Sequence, residues 1–292
     1  MRALMTGASG FIGSHLASFL AAKSVDVVQI KHTALGKDFA GIEKIIKEIR
    51  PDVVFHLAGT FQAAHASDML EANCLFAAKL LDAVKASGMG CRIILMGSAA
   101  EYGLVEESAL PIREVQLPRP ETLYGITKLS QTMIGLAFAR AGMDVVVARP
   151  FNILGVGMSD HLAIAGFARQ LRNIKSGKSQ AILKTGNLDT SRDFISVHSC
   201  VRALWLLAGA EDASGRIVNI CSGKAWPIRG IMERILKMID LTVRIETDDT
   251  HMRTNDPRVN FGDPSLLHAL TGYVPKLTDS EMDEILASLL EM

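Results

Sequence analysis

The feature that most constrains the fold is a series of three glycines, Gly7, Gly10 and Gly13, directly after a short apolar segment at 2–6. A strand that runs through such a turn into a helix, here 11–22, is typical of dinucleotide-binding folds. Gly7 permits the tight turn, Gly10 lets backbone N–H groups approach a pyrophosphate, and Gly13 allows close helix–sheet packing. The alternative is a turn that only joins a strand to a helix, which this spacing alone does not exclude.

Short apolar runs alternate with longer amphipathic runs throughout the first half of the chain. The apolar runs are apolar on both faces, which is typical of parallel strands covered by helices on both sides. This alternation predicts an α/β fold over residues 1–150, a Rossmann-type doubly wound parallel sheet. The predicted strands are 2–6, 26–30, 52–58, 91–97 and 144–150, and the predicted helices are 11–22, 41–49, 67–87 and 121–141.

After residue 150 the alternation becomes less regular. We expect residues 151–292 to form mainly a smaller C-terminal α/β lobe that binds substrate, with about 193–209 returning to the first domain. The helices predicted in this half lie near 160–176 and 228–238, and the short strands at 181–183, 217–220 and 243–246.

The charge balance and the cysteine content argue against several classes of partner. Lysine plus arginine equals aspartate plus glutamate, at 31 each, so no overall field attracts nucleic acid or a membrane surface. No run approaches the roughly 18 apolar residues that span a bilayer. The four cysteines lie far apart without a CxxC pair, which favours reduced thiols in a cytoplasmic protein over disulfides or a metal site.

The end of the second predicted strand bears on which dinucleotide is bound. A site for NAD usually has an acidic residue there, which holds the ribose 2′-hydroxyl. This strand instead ends in Lys31 and His32, which favour NADP(H) over NAD(H) because both can face a 2′-phosphate. The alternative is that both are ordinary solvated loop residues. Asp38 and Phe39 are candidates for the adenine side, with a helix cap as the alternative for Asp38.

Three side chains are candidates for acid–base chemistry. Tyr124 and Lys128 lie one helical turn apart and therefore share a face. A tyrosine titrates at about pH 10, and a nearby ammonium lowers that pKa towards neutrality. Ser98 follows the fourth strand, at the sheet edge where ligands bind, so its hydroxyl is suited to a substrate carbonyl; the alternative is a cap of the turn.

The chain resembles the extended short-chain dehydrogenase/reductases of the sugar-nucleotide epimerase/dehydratase group, nearly from end to end. The resemblance implies that Tyr124 is the catalytic acid/base, Lys128 its electrostatic partner and Ser98 a ligand of the carbonyl. It rests on Asn73 and on the segments TGASGFIG (6–13), FHLAG (55–59), GSAAEYG (97–103), YGITK (124–128) and RPFNILGVG (149–157). The further residues implied on the cofactor side are Phe11, Ile12, Leu57, Ala58, Gly59 and Asn73.

Position 100 distinguishes the reactions within this group. The dehydratases carry a glutamate two places after the serine or threonine, and the epimerising reductases carry a cysteine there. Ala100 has no proton to give or take, and Glu101, one place along, would point to the opposite side if the segment is extended. His161 falls near a histidine of those epimerases, and we expect it to contact substrate or simply to begin a helix. The resemblance therefore favours simple ketone reduction, with hydride from NADPH to C4 and a proton from Tyr124.

The second half resembles relatives that bind a nucleotide-diphosphate sugar. Segments 186–197 and 251–263 carry this resemblance, and the expected substrate is GDP-4-keto-6-deoxy-D-mannose, reduced to GDP-D-rhamnose. An arginine fork suits a diphosphate. The alternatives are an ion pair between Arg192 and Asp193 and an ordinary loop position for Arg253. The residues implied in binding phosphate, diphosphate or ribose are Asn152, Arg192, Arg253 and Asp256.

Two other functions and an oligomeric state follow as expectations. One alternative is an epimerase or dehydratase that keeps NAD(P) bound, and another is a non-catalytic redox sensor that binds NAD(P). Helices 67–87 and 121–141 are apolar on more than one side, and relatives pair such helices, so we expect a homodimer through them. Coverage of that surface within the subunit is the alternative.

Overall fold

A six-stranded parallel sheet forms the centre of the fold, which confirms the predicted doubly wound α/β class. Its strands are β1 (Arg2–Thr6), β2 (Asp26–Ile30), β3 (Val53–His56), β4 (Arg92–Met96), β5 (Val145–Pro150) and β9 (Ile217–Ile220). Their order is β2-β1-β3-β4-β5-β9. The computed structural model describes residues 1–30, 39–248 and 256–291.

Helices cover both faces of this sheet. On one face the core is built from α1 and α7, and on the other from α2, α4 and α5. The predicted helix 67–87 is two α-helices joined by a π-helical turn at Glu71–Leu75. Within the described ranges no helix is long and apolar enough to cross a bilayer. The covering helices are α1 (Phe11–Ala22), α2 (Phe39–Ile49), α3 (Ala66–Leu70), α4 (Phe76–Ser87), α5 (Leu123–Arg140) and α7 (Val197–Gly209).

Most of the remaining elements form a smaller α/β layer with its own apolar core, between α6, α8 and α10. One sheet has the order β10-β8-β12, with β6 also paired to β8, and a second sheet pairs β11 with β7. The strands are β6 (Asn152–Leu154), β7 (Ile182–Thr185), β8 (Ser191–Ser196), β10 (Ala225–Pro227), β11 (Arg244–Thr247) and β12 (Val259–Asn260). The helices of this layer are α6 (Ala163–Lys175), α8 (Ile228–Ile239) and α10 (Asp279–Glu291), whereas α9 (Ser265–Thr271) packs on β9 and α7 of the central sheet.

Two segments after residue 150 divide differently between the layers. Within 193–209, α7 packs on the central sheet, whereas β8 pairs with strands of the smaller layer. Strand β9 matches the predicted strand 217–220, but we had expected it in the smaller lobe, and it pairs with β5 as the sixth central strand. A strand's length and apolarity are visible in the sequence, whereas its pairing partner depends on long-range contacts.

The strand order places the candidate site. Because the order reverses between β1 and β3, their carboxyl ends open a crevice of the kind in which ligands of doubly wound folds bind. The glycine turn follows β1, residues 57–59 follow β3, and Ser98 follows β4. All three segments therefore meet at one edge of the sheet.

Candidate active site

The glycine turn after β1 has no room for a side chain at Gly7 or Gly13. Gly7 has φ +73°, and a Cβ there would lie 2.6 Å from the backbone nitrogen of Ala58. A Cβ on Gly13 would lie 2.1 Å from the carbonyl oxygen of Gly7. Gly10 is exposed and precedes α1, whose first turn receives no side-chain cap from the described residues. The open N–H groups of Phe11, Ile12 and Gly13 therefore fit a dinucleotide pyrophosphate.

The segment after β3 joins this turn to the catalytic candidates. A Cβ on Gly59 would lie 2.8 Å from Oδ1 of Asn73 and 3.6 Å from Nζ of Lys128. The backbone of Leu57 and Ala58 lies against Gly7. The segment 57–59 therefore lies between the glycine turn on one side and Asn73 and Lys128 on the other.

Asn73 lies fully buried in the π-helical turn between α3 and α4. Its Nδ2 donates to the Thr60 carbonyl oxygen at 2.8 Å and to Oγ1 of Thr127 at 2.9 Å, and its Oδ1 accepts from the Thr60 N–H at 2.7 Å. π-helical turns recur at functional sites. This one aims a single amide at both the loop after β3 and helix α5.

Ser98 and Tyr124 are brought together by tight packing between two elements. Thr122 caps α5 by accepting the Gly125 N–H at 3.0 Å. A Cβ on Gly125 would lie 2.5 Å from the carbonyl oxygen of Ala100, so the turn after Ser98 lies directly on the first turn of α5. The capping alternative for Ser98 also holds, since its Oγ accepts the Ala100 N–H at 3.2 Å.

The pKa of Tyr124 departs in the opposite direction from the one predicted. Burial raises the pKa of its phenol, a hydrogen bond from Ser98 lowers it, and the charge of Glu101 raises it further. We had expected Lys128 to lower it. The Lys128 ammonium instead donates to Oε1 of Gln131 at 3.0 Å. Tyr124 is therefore a protonated phenol at neutral pH.

Lys128 is buried, and burial favours the neutral form of its amine. Burial lowers its pKa from 10.5 to about 8, and the charge of Glu101 opposes that shift. Gln131, which accepts from Lys128, is itself held by the Met96 carbonyl oxygen, to which its Nε2 donates at 3.0 Å. Lys128 therefore keeps its proton at neutral pH and loses it only as the pH passes about 8.

Two buried side chains of the site were not among the residues predicted from the sequence. His56, at the end of β3, accepts or shares a proton with Oγ1 of Thr6 at 2.9 Å, and burial together with the charge of Lys128 lowers its pKa to about 3. Glu101 accepts the Ser98 N–H at 2.8 Å and pairs with Arg149 at 2.5 Å. The visible signals were a histidine inside an apolar strand and a glutamate next to the strand-end serine.

The substrate-side candidates lie in the smaller layer. Arg192 and Asp256 form an ion pair at 2.5 Å, and Arg192 Nη1 also donates to the Pro257 carbonyl oxygen at 2.8 Å. The carboxylate of Asp193 accepts instead from Ser222, whose N–H and hydroxyl donate at 2.9 and 2.7 Å. The ion pair of Arg192 is therefore with Asp256, the residue predicted to bind ribose, and not with Asp193.

The other predicted residues are more dispersed. Asn152 is exposed and its Nδ2 donates to the Asp193 carbonyl oxygen at 2.8 Å, while His161 is exposed in the loop before α6. Phe39 is described only as the first residue of α2. Among the described residues no cluster of three His, Cys, Asp or Glu side chains is placed to hold a metal ion. The predicted residues outside the described ranges are Lys31, His32, Asp38 and Arg253.

Known proteins with similar sequences share most of this chain's length. GDP-6-deoxy-D-mannose reductase of Pseudomonas aeruginosa is 35% identical over 286 residues, which cover 95% of this chain and 93% of that protein. GDP-6-deoxy-D-talose 4-dehydrogenase of Aggregatibacter actinomycetemcomitans is 25% identical over 280 residues, which cover 93% and 92%. The comparisons thus extend over both layers of the fold.

A solved structure and a family model extend the same comparison. The structure of RMD from Pseudomonas aeruginosa complexed with NADPH matches with a TM-score of 0.88 and 32% identity, over 99% of this chain and 97% of that chain. The model of the NAD dependent epimerase/dehydratase family matches residues 3–221, which include the glycine turn, Ser98, Tyr124 and Lys128. On these grounds the chain belongs to the NAD-dependent epimerase/dehydratase family.

Proposed function

We propose that this protein is an NAD(P)H-dependent reductase of a nucleotide-linked 4-keto-6-deoxyhexose, with GDP-4-keto-6-deoxy-D-mannose as substrate and GDP-D-rhamnose as product. The observation that carries the proposal is Tyr124 hydrogen-bonded to Ser98 and one helical turn before Lys128 in α5, with Ala100 in place of a further acid or base. The 35% identity to a GDP-6-deoxy-D-mannose reductase supports the GDP-linked substrate.

The proposed cofactor contacts follow from the fit between the glycine turn and a dinucleotide pyrophosphate. The N–H groups of the first turn of α1 bind the pyrophosphate, and the Lys128 ammonium binds the nicotinamide ribose. When bound, the nicotinamide supplies the hydride for C4 of the sugar. Gly59 leaves room for this arrangement because any side chain there would meet Asn73 and Lys128.

The proton comes from Tyr124. Ser98 and Tyr124 donate hydrogen bonds to the ketone oxygen, and these bonds strengthen as negative charge develops there. A phenol whose pKa is raised by burial holds its proton until an alkoxide forms, so it acts as a donor rather than as a base. Lys128, still charged below about pH 8, contributes by binding the nicotinamide ribose, since its charge is not among the causes that shift the pKa of Tyr124.

The surroundings of Ala100 favour reduction over epimerisation or dehydration. Dehydration, and epimerisation at the carbons next to the ketone, require a second group that removes a proton from the sugar ring. Glu101 is the carboxylate next in the chain, but it is fully buried and bound to Arg149 and the Ser98 N–H. A carboxylate held in this way is not available as a base for substrate.

The cofactor preference and the oligomeric state belong to the same proposal. We favour NADP(H) because Lys31 and His32 follow β2 and because a similar structure was solved with NADPH. We also propose a homodimer through the helices that bear exposed apolar side chains. Leu75, Ile126 and Met133 are 48%, 45% and 52% exposed, which is high for large apolar residues on neighbouring helices.

The direct test incubates purified protein with NADPH and GDP-4-keto-6-deoxy-D-mannose and follows absorbance at the NADPH band. We expect one NADPH oxidised per GDP-D-rhamnose formed. No oxidation with this substrate or with its dTDP analogue would reject the reductase. Release of stoichiometric NAD(P)+ from denatured, unreacted protein would instead favour an epimerase or dehydratase, and NADPH binding without turnover of either substrate would favour a redox sensor.

A further inference from the structure

Glu101 is fully buried three residues after Ser98, inside the active-site turn. One carboxylate oxygen accepts the Ser98 N–H at 2.8 Å, and the other accepts from Nη2 of Arg149 at 2.5 Å. Ser98 in turn accepts the Ala100 N–H, so the two side chains close a reciprocal cap around a 3-10 turn at Ala99–Glu101. The backbone of Ser98 is therefore fixed by Glu101.

The residue before Ser98 is shaped for this carboxylate. A Cβ on Gly97 would lie 2.6 Å from Oε1 of Glu101 and 3.1 Å from Cγ1 of Val147. The turn is held from the other side by Gly125, which meets the Ala100 carbonyl oxygen next to Tyr124. Two glycines thus allow one turn to fit between Glu101 and the catalytic helix.

Arg149 fixes the far end of Glu101. It lies fully buried at the end of β5, with its guanidinium carbon 4.4 Å from the centre of the Tyr102 ring. The Tyr102 hydroxyl donates to Oδ1 of Asn219 at 2.7 Å, and the Asn219 N–H donates to Oε1 of Glu114 at 2.9 Å. This network connects the carboxyl ends of β4, β5 and β9.

A buried ion pair is poorly explained by stability alone. Removing two charges from water is costly, and apolar residues of similar volume are often equally or more stabilising. A pair placed between the active-site turn and the end of a neighbouring strand calls for a role beyond stability.

We infer that Glu101, held by Arg149, is a positioning residue for the reduction, and that it fixes the Ser98 hydroxyl towards Tyr124 and the ketone oxygen. The inference rests on the proposed reductase function and concerns the same site. Glu101 does not touch substrate, because its carboxylate is enclosed between Ser98, Gly97 and Arg149.

The charge of Glu101 has a second effect in the same place. It raises the pKa of Lys128 against the lowering caused by burial, and it raises the pKa of Tyr124. Both effects favour the protonated forms that ketone reduction requires at neutral pH. The other ionisable groups that act on this network are His56, Tyr102, Glu114, Arg149 and Asp263.

The test compares three forms of the full-length protein: Glu101→Gln, the double variant Glu101→Leu with Arg149→Met, and Asp144→Asn as a control. Glutamine keeps an acceptor for the Ser98 N–H but removes the charge. The double variant replaces the ion pair by apolar side chains, so it keeps the fold while abolishing the cap. Asp144 pairs with Arg92 at 2.9 Å at the opposite edge of the sheet.

We expect kcat to fall roughly tenfold in Glu101→Gln and on the order of 100-fold in the double variant, with KM and NADPH affinity within about twofold of wild type. In Glu101→Gln the alkaline limb of the kcat profile moves to lower pH. Asp144→Asn leaves kcat and the pH profile unchanged.

Thermal unfolding separates positioning from stability. A double variant that melts near the wild-type temperature and remains slow supports positioning. Recovery of wild-type kcat in that variant overturns it, as does a Glu101→Gln variant with an unchanged kcat and pH profile.

A readout without substrate separates this inference from the reductase proposal. Phenolate absorbance, assigned to Tyr124 by difference from Tyr124→Phe, is expected to appear at lower pH in Glu101→Gln than in wild type. If wild type reduces neither keto sugar, the reductase proposal fails, and an unchanged phenolate titration then overturns the role of Glu101 as well.

Discussion

The two edges of the central sheet use charge in different ways. At the amino edge, Arg92 pairs with Asp144 at 2.9 Å and donates to the Leu207 carbonyl oxygen at 3.1 Å, at the end of α7. At the carboxyl edge, Arg149 is fully buried and pairs with a glutamate that also holds the active-site serine. The arginine of the first pair also hydrogen-bonds a carbonyl group at the C-terminal end of α7, whereas the glutamate of the second pair holds the backbone of Ser98.

The larger cavity does not lie at the edge that carries the candidate active site. A cavity of about 650 Å³ opens at the amino edge, between residues that include Lys85, Cys91 and Arg92. The carboxyl edge is recognised instead by glycines that meet backbone atoms, and by Tyr124 and Lys128, whose pKa values burial shifts. In this molecule, shifted pKa values and close backbone contacts therefore locate the candidate site better than cavity volume does.

The largest expected effect at the carboxyl edge is the loss of kcat when the phenol of Tyr124 is removed. Tyr124→Phe should lower kcat by about 10²–10⁴-fold, because the ring remains but the proton donor is lost. NADPH affinity and melting temperature should stay near wild type, measured by fluorescence titration and thermal unfolding. A variant that keeps more than half of the wild-type kcat would remove Tyr124 from the chemistry.

The second effect compares glycines at the two edges. Gly13→Ala should destabilise the fold by about 1–3 kcal/mol and weaken NADPH binding at least tenfold, because its Cβ would overlap the Gly7 carbonyl oxygen. Gly90→Ala at the amino edge meets nothing within 4 Å and should change stability by less than about 0.5 kcal/mol. Equal effects at both positions, measured by denaturant unfolding, would contradict the contrast.

The third effect is a pH dependence at the carboxyl edge. Because the pKa of Lys128 is lowered from 10.5 to about 8, kcat should fall as the pH rises through about 8. The unfolded chain binds the Lys128 proton up to higher pH than the folded chain, so this group's contribution to stability increases between pH 8 and 10.5. Rate profiles and unfolding curves of wild type and Lys128→Met check both signs, and a kcat that stays constant to pH 9.5 would contradict the assignment.

The smallest effect is expected from the ion pair at the amino edge. Asp144→Asn should cost about 0–1 kcal/mol of unfolding free energy, since Asp144 is 39% exposed and its partner keeps its bonds to helix carbonyls. Urea unfolding measures this cost. A loss comparable to that of breaking Glu101–Arg149 would show that the two pairs have the same role.

Local signals in the sequence predicted much of the fold and part of the site. Helix α1 begins and ends at the predicted residues, because a glycine turn and an apolar run define it locally. The position of β9 required knowledge of its pairing with β5. We had expected Glu101 to point away, as it would in an extended segment, whereas the 3-10 turn carries it into the interior beside Arg149. The raised pKa of Tyr124 depends on burial, which sequence spacing does not reveal.

The most direct test of the central claim follows hydrogen at the sugar ring while the protein reduces GDP-4-keto-6-deoxy-D-mannose with NADPH in D₂O. A site with one proton donor and Ala100 beside it should oxidise one NADPH per product and leave C3 and C5, the carbons next to the ketone, without deuterium beyond that of an enzyme-free control. NMR of the isolated product reads both positions. Enzyme-dependent deuterium at C3 or C5, or a product inverted at either carbon, would contradict the account.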